Sequence, residues 1–302
     1  MAGCSRRPLA RSVAFAVLLG SLGCATAPVQ PPSVVGAHLK PHAKVFGAGP
    51  PLIALHGFGG SIYSWHSIEA DLSAHHTVHA LDLKGFGLSP KPKDGRYSVY
   101  DQAAMVLDYI ADNHLTGVTL LGHSFGGGVA LATAATLEET QPGVLSKLVL
   151  IDAASYKQPV PWYISILGVP AIGTISQHLM TDRAQVKIAL RDAYFNDKLI
   201  TKEQIDAYAA PLALDGGKYA LRETAGQIVP KNVDELNARY QHILVPTLII
   251  WGRHDEVVPL SSGQRLARDI KNSTFIVIET SGHIPHEEVP DTVRKPLTDF
   301  LR

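Results

Sequence analysis

The sequence predicts an α/β fold: a mostly parallel, doubly wound sheet covered by helices on both faces, with a helical cap inserted into it. Short, continuous apolar runs recur along the chain, the pattern of strands buried on both faces. Amphipathic stretches of helical period separate most of them, as the crossovers of a parallel sheet require. The interval between Ala154 and Val245 holds helical segments and no strand run, so it is predicted to sit over the ends of the sheet.

In chain order the first feature is a leader. Arg6, Arg7 and Arg11 precede the apolar run "VAFAVLLGSLGC", which is too short for an ordinary membrane-spanning helix and has the length of a signal peptide. Its end, "SLGC", is similar to a bacterial lipobox, in which Cys24 would be lipidated; Ser21 stands where an aliphatic residue is commoner. "SRRPL" also resembles a twin-arginine signal, and "ATA" at Ala25–Ala27 offers a competing cleavage site that Pro28 disfavours. The expectation is a signal peptide over 1–24, a proline-rich linker over 25–34, and an exported protein. The mature chain would be a membrane-anchored lipoprotein facing the periplasm, or alternatively periplasmic or secreted. Both cysteines, Cys4 and Cys24, fall in the leader, which leaves the body without a disulfide, a thiol nucleophile or a thiolate metal site.

The body is predicted as a core over 35–154 and 241–302, with the cap over 155–240. Its strands are read in "PLIALHG", "HTVHALDL", "GVTLLGHS", "SKLVLIDAA", "VPTLIIWG" and "STFIVIET"; helices are read in "SVYDQAAMVLDYIADN", "VALATAATLEET", "TDRAQVKIALRDAYF" and "TKEQIDAYAAPL". Of 302 residues, 46% are hydrophobic, enough for a large core, and 27 basic side chains balance 27 acidic ones without a basic tract. That balance argues against capture of nucleic acid.

The chemistry gathers at strand ends. "GHSFG" places Ser124 between a strand and a helix, with Gly122 and Gly126 flanking it, and small flanking residues permit the tight turn of a nucleophile elbow. A serine there could equally be a helix cap or a turn residue. A nucleophilic serine needs a base and an orienting acid. Asp255 in "WGRHDEVVP" and His283 in "TSGHIPHEEVP" follow the last two strand runs. Asp152 is an alternative acid and His286 an alternative base. "HGFGGSIYSW" supplies a glycine-rich turn whose Phe58 N–H, with the N–H of Phe125, is placed to stabilise an oxyanion. His56 is expected to brace that turn. Trp162 and Tyr163, in an apolar part of the cap, are candidates for the substrate pocket. The histidines form no metal-ligand constellation and the glycines no phosphate loop, so neither metal nor organic cofactor is expected.

Taken together, "HGFGGSIYSW", "DLKGFGLSPKP", "GHSFGG", "WGRHDEVVP" and "SGHIPHEEVP" resemble the cap-bearing α/β-hydrolases, a group with esterases, meta-cleavage-product hydrolases, epoxide hydrolases and haloalkane dehalogenases. The resemblance covers roughly 35–302. It implies a serine hydrolase that cleaves an apolar, ester-like small molecule through an acyl-enzyme on Ser124. Epoxide hydrolases and dehalogenases of this group carry aspartate at the elbow, which disfavours their chemistries here. A carbon–carbon bond hydrolase with the same triad is the alternative, and a non-catalytic, membrane-tethered binding protein is the alternative of another class. The short region before Pro51 leaves the family's opening hairpin only Val34–Phe46, so abbreviated first strands are expected.

Overall fold

The computed structural model describes residues 39–302; the expected leader, Cys24 and the linker lie outside the described residues. Among those described, no helix is long and apolar enough to cross a membrane.

Seven strands form one sheet: β1 (Ala43–Gly47), β2 (Pro51–Leu55), β3 (Thr77–Leu81), β4 (Val118–His123), β5 (Leu145–Ile151), β6 (Thr247–Gly252) and β7 (Ser273–Ile278). Their order is β1-β3-β2-β4-β5-β6-β7. Only β1 runs antiparallel, against β3; the rest pair in parallel. The six predicted runs each became a strand. Among the described residues, β1 is the one strand before Pro51; the start of the expected opening, 34–38, lies outside them.

Alternation along the strands separates two cores. Ile53, Leu55, Leu148 and Leu150 face one side, and Leu52, Ala54, Val149 and Ile151 the other. The first side is covered by α2 (Val99–Asp112), α3 (Ser124–Thr140) and α10 (Leu260–Asp269). The second is covered by α1 (Glu69–Ser73) and α12 (Pro290–Leu301), through Leu72, Val293, Leu297 and Leu301. Helix α2 starts where its sequence says: Ser98 and Asp101 form a reciprocal capping box. Helix α3 is buried nearly all round, which explains why its sequence is apolar without a polar face.

Between β5 and β6 lie α4 (Trp162–Leu167), α5 (Pro170–Leu179), α6 (Asp182–Ala193), α7 (Lys202–Ala209), α8 (Gly217–Gln227) and α9 (Val233–Arg239), with no strand. This insert belongs to the same compact unit as the sheet, Gly36–Arg302. The short helix α11 (Pro285–Glu288) follows β7 and precedes α12.

A hydrogen-bonded serine, histidine and aspartate at the strand ends

Strand β4 delivers its chain into α3 through Ser124, whose φ of +53° is left-handed. A non-glycine residue there carries a strain cost of about 1–3 kcal/mol, so the surroundings must hold it. They do so by close approach. A Cβ on Gly122 would lie 2.4 Å from the Gly126 carbonyl oxygen, and one on Gly126 would lie 2.2 Å from the Leu55 carbonyl oxygen. The glycines read from the sequence are therefore required by backbone contact between β4, α3 and β2.

His283, in the loop after β7, meets the serine: its Nε2 lies 2.8 Å from Ser124 Oγ. Its Nδ1 lies 2.8 Å from Asp255 Oδ2, in the loop after β6. Asp255 is fixed in turn, Oδ1 accepting from the N–H groups of Val257 (2.8 Å) and Val258 (2.9 Å). All three side chains are buried. The structure thus brings together the serine, base and acid proposed from sequence order.

The competing residues fall elsewhere. Asp152 is buried beside Asp255 in a left-handed conformation, φ +44°, and its Oδ1 accepts from the Gly252 N–H at 2.8 Å. Burial, then the charge of Asp255, raises its pKa well above the usual carboxylate range. His286 is stacked on Trp65 and edge-on to His123, away from the serine. Burial lowers its pKa to about 3. His56 accepts from the Leu83 N–H at Nε2 (3.0 Å), which leaves Nδ1 to donate to the Gly57 carbonyl (2.8 Å). Buried and held neutral, it braces the turn. Asp82 ties the same region down by accepting from the N–H groups of Ile62 and Leu88.

Two contacts escaped the sequence reading. His123, at the N-cap of α3, donates from Nε2 to the His283 carbonyl at 2.8 Å. The His283 N–H donates to the Ala193 carbonyl of the insert at 2.6 Å. The neighbour of Ser124 in "GHS" was the available signal for the first; nothing in the sequence marked the second.

Ser124 lines two cavities. The larger, about 200 Å³, is walled mostly by apolar side chains of the insert, with Trp162 and Tyr163 among them. The smaller, about 60 Å³, shares Phe58, Ser124 and Val257 with it and reaches Phe125. Phe125 occupies the second position of α3, where a backbone N–H has no intrahelical acceptor. Among the described residues, no Lys or Arg lines either cavity, and the one carboxyl on their walls is Glu287. Asp152, Asp255 and His283 lie close enough together to suggest a metal site. Asp255 Oδ2 and His283 Nδ1 meet each other, and Asp255 Oδ1 meets the loop N–H groups, so these atoms are already engaged in hydrogen bonds.

Comparison with known proteins agrees with this architecture. The sequence profile of the alpha/beta hydrolase fold matches residues 50–290. An uncharacterized hydrolase of Bacillus subtilis, YugF, is 28% identical over 83% of this chain and 89% of its own length. Lipase 3 of a Moraxella species is 26% identical over 84% of this chain and 79% of its own. The solved structure of a meta-cleavage product hydrolase from Pseudomonas fluorescens superposes with a TM-score of 0.72, at 23% identity, over 86% of this chain and 93% of that one. With that profile spanning most of its length, the chain belongs to the α/β-hydrolase fold family.

Proposed function

We propose that the protein is a carboxylic ester hydrolase working through an acyl-enzyme on Ser124. The observation that carries this is the continuous Ser124–His283–Asp255 hydrogen-bonded chain, opening on two largely apolar cavities. His283 Nε2 takes the proton as Ser124 Oγ attacks the ester carbonyl, and Asp255 stabilises the imidazolium. The N–H groups of Phe58 and Phe125 receive the oxyanion. The alcohol leaves with the proton from His283, and a water activated by the same imidazole releases the acid. Two cavities that share Ser124 suit a substrate with a group on each side of the carbonyl. The lack of Lys or Arg on their walls favours an ester whose acid is masked over a carbon–carbon substrate bearing a free carboxylate.

The test is turnover of p-nitrophenyl esters of graded acyl length by protein lacking residues 1–24, with and without chelator. Hydrolysis insensitive to chelator, and lost in Ser124→Ala, is the expected result. Turnover retained by that folded variant would sink the assignment. Export and a lipid anchor on Cys24 belong to the same proposal, supported by the arginines and the apolar run before that residue.

A further inference from the structure

The larger cavity has a single carboxyl in its wall, and the ester mechanism leaves it unused. Glu287 of α11 lies almost wholly buried on that wall, together with Tyr208 of α7 and Ser64. Tyr208 Oη donates to Glu287 Oε1 and lies 2.9 Å from Ser64 Oγ. Gln204 Nε2 donates to Glu287 Oε2 at 3.2 Å. An ionised carboxylate offers about four acceptor positions; these two donors fill two. The next residue is a contrast. Glu288 spends its oxygens on the Asn196 N–H, the Gly282 N–H and Ser281 Oγ, and it does not line the cavity.

We infer that Glu287 is a specificity-determining residue that recognises a positively charged group, such as a quaternary or protonated amine, on the ester substrate. The reason is complementarity. A carboxyl in an apolar wall with no Lys or Arg around it has no internal counter-charge, and an ammonium within contact distance would supply one under weak screening. A neutral isostere would gain nothing from it, and an anion would be repelled.

Burial drives the Glu287 pKa up to about 8, despite the donors Tyr208 and Gln204 that pull it down. At neutral pH a cation must therefore displace a proton to bind. Its affinity should rise by up to about tenfold per pH unit and level off above the carboxyl's own titration. The groups around it do not blur this. Tyr208 and Tyr194 of the insert and Tyr63 beside Ser64 all have pKa values raised by burial and by Glu287, so they stay neutral. Glu203 adds negative charge near Tyr63, and Glu288 and His286 flank the carboxyl on α11, His286 being neutral. His283 shares the cavity wall with Glu287.

The inference rests on the ester reading for its kinetic arm alone. Three p-nitrophenyl esters, with acyl chains ending in trimethylammonium, tert-butyl or carboxylate, separate charge from shape. The expected order of kcat/KM is cation, then neutral, then anion. The cation-to-neutral ratio should be on the order of tenfold above the carboxyl's titration and should shrink below it. Glu287→Gln should bring that ratio to about one and remove its pH dependence. Tyr208→Phe keeps the carboxyl while removing one of its two hydrogen bonds to the insert, so it should keep the cation preference; loss there would mean that cap docking, not charge, set it. If the neutral ester is cleaved and the cation is not preferred, this inference fails while the ester reading stands. If no ester is cleaved, calorimetric binding of butyltrimethylammonium to the wild type and to Glu287→Gln decides the matter: equal affinity overturns the inference.

Discussion

At the scale of single residues, two buried aspartates sit near one imidazole, and hydrogen bonding separates their roles. Asp255 meets His283 Nδ1 and accepts from two backbone N–H groups; Asp152, its pKa raised by burial, accepts from the Gly252 N–H. Asp255→Asn should therefore lower kcat on the order of 10⁴-fold, because the imidazole loses both its tautomer and its counter-charge. Asp152→Asn should cost far less, since the amide oxygen can still accept from the Gly252 N–H. Steady-state kinetics on any cleaved ester distinguishes them, and collapse in Asp152→Asn with a normal rate in Asp255→Asn would reverse the roles. Ser124, Asp255 and His283 were legible because each follows a strand run in a fixed order. Glu287 was not, since nothing in "PHEEVP" says which of two adjacent glutamates faces a cavity.

At the scale of elements, the turn from β4 into α3 is held by contact rather than by propensity. The backbone carbonyl of Leu55 leaves no room for a side chain at position 126. Gly126→Ala should destabilise by about 2–4 kcal/mol or block folding, and Ser124→Ala, at an already left-handed position, should not. Urea melts of the two variants make the comparison. Strands were the most legible elements, because β4, β5 and β6 are buried on both faces and read as unbroken apolar runs. Helix α5 was the least legible. Ile172, Ile175 and Leu179 are exposed while Gly173 and Gln177 turn inward, the reverse of the pattern that burial normally writes. The short 3-10 turn that carries Ser64 had no periodicity to read.

At the scale of the whole molecule, buried ionisable groups set opposing slopes of stability with pH. His56, His123 and His286 are held neutral by burial, their pKa values lowered from 6.5. Below that value the unfolded chain takes up protons that the native state refuses, so stability falls as the pH drops. Glu287 acts in the opposite sense. Its pKa rises from 4.5 to about 8, so the native state keeps a proton that the unfolded chain releases between those values. That contribution is complete below 4.5 and lost as the pH rises through about 8. Denaturation midpoints across pH should decline on both sides, and Glu287→Gln should flatten the alkaline side alone. An unchanged alkaline limb would show the carboxyl to be ionised in the native state. For the leader, labelled lipid should be incorporated by the full precursor in a bacterial host and lost in Cys24→Ser. A soluble product beginning near Pro28 would replace the anchor with a plain signal peptide.

The peptide unit of His283 has a mechanical meaning. Its N–H is held by the Ala193 carbonyl at the end of α6, and its carbonyl by His123 beside the nucleophile. The histidine is a shaft in two bearings, one of them in the insert. An insert that lifted away as a rigid lid would pull out one bearing and misalign the base with every opening. Admission of substrate with the base kept in line must therefore pivot about the Ala193 end and yield elsewhere, nearest at α4 and α5, where Trp162 of α4 and Met180, just after α5, sit at the cavity's exposed margin. A disulfide or proline that stiffened α4–α5 would slow entry without touching the alignment, whereas a cut after Ala193 would disable the histidine itself.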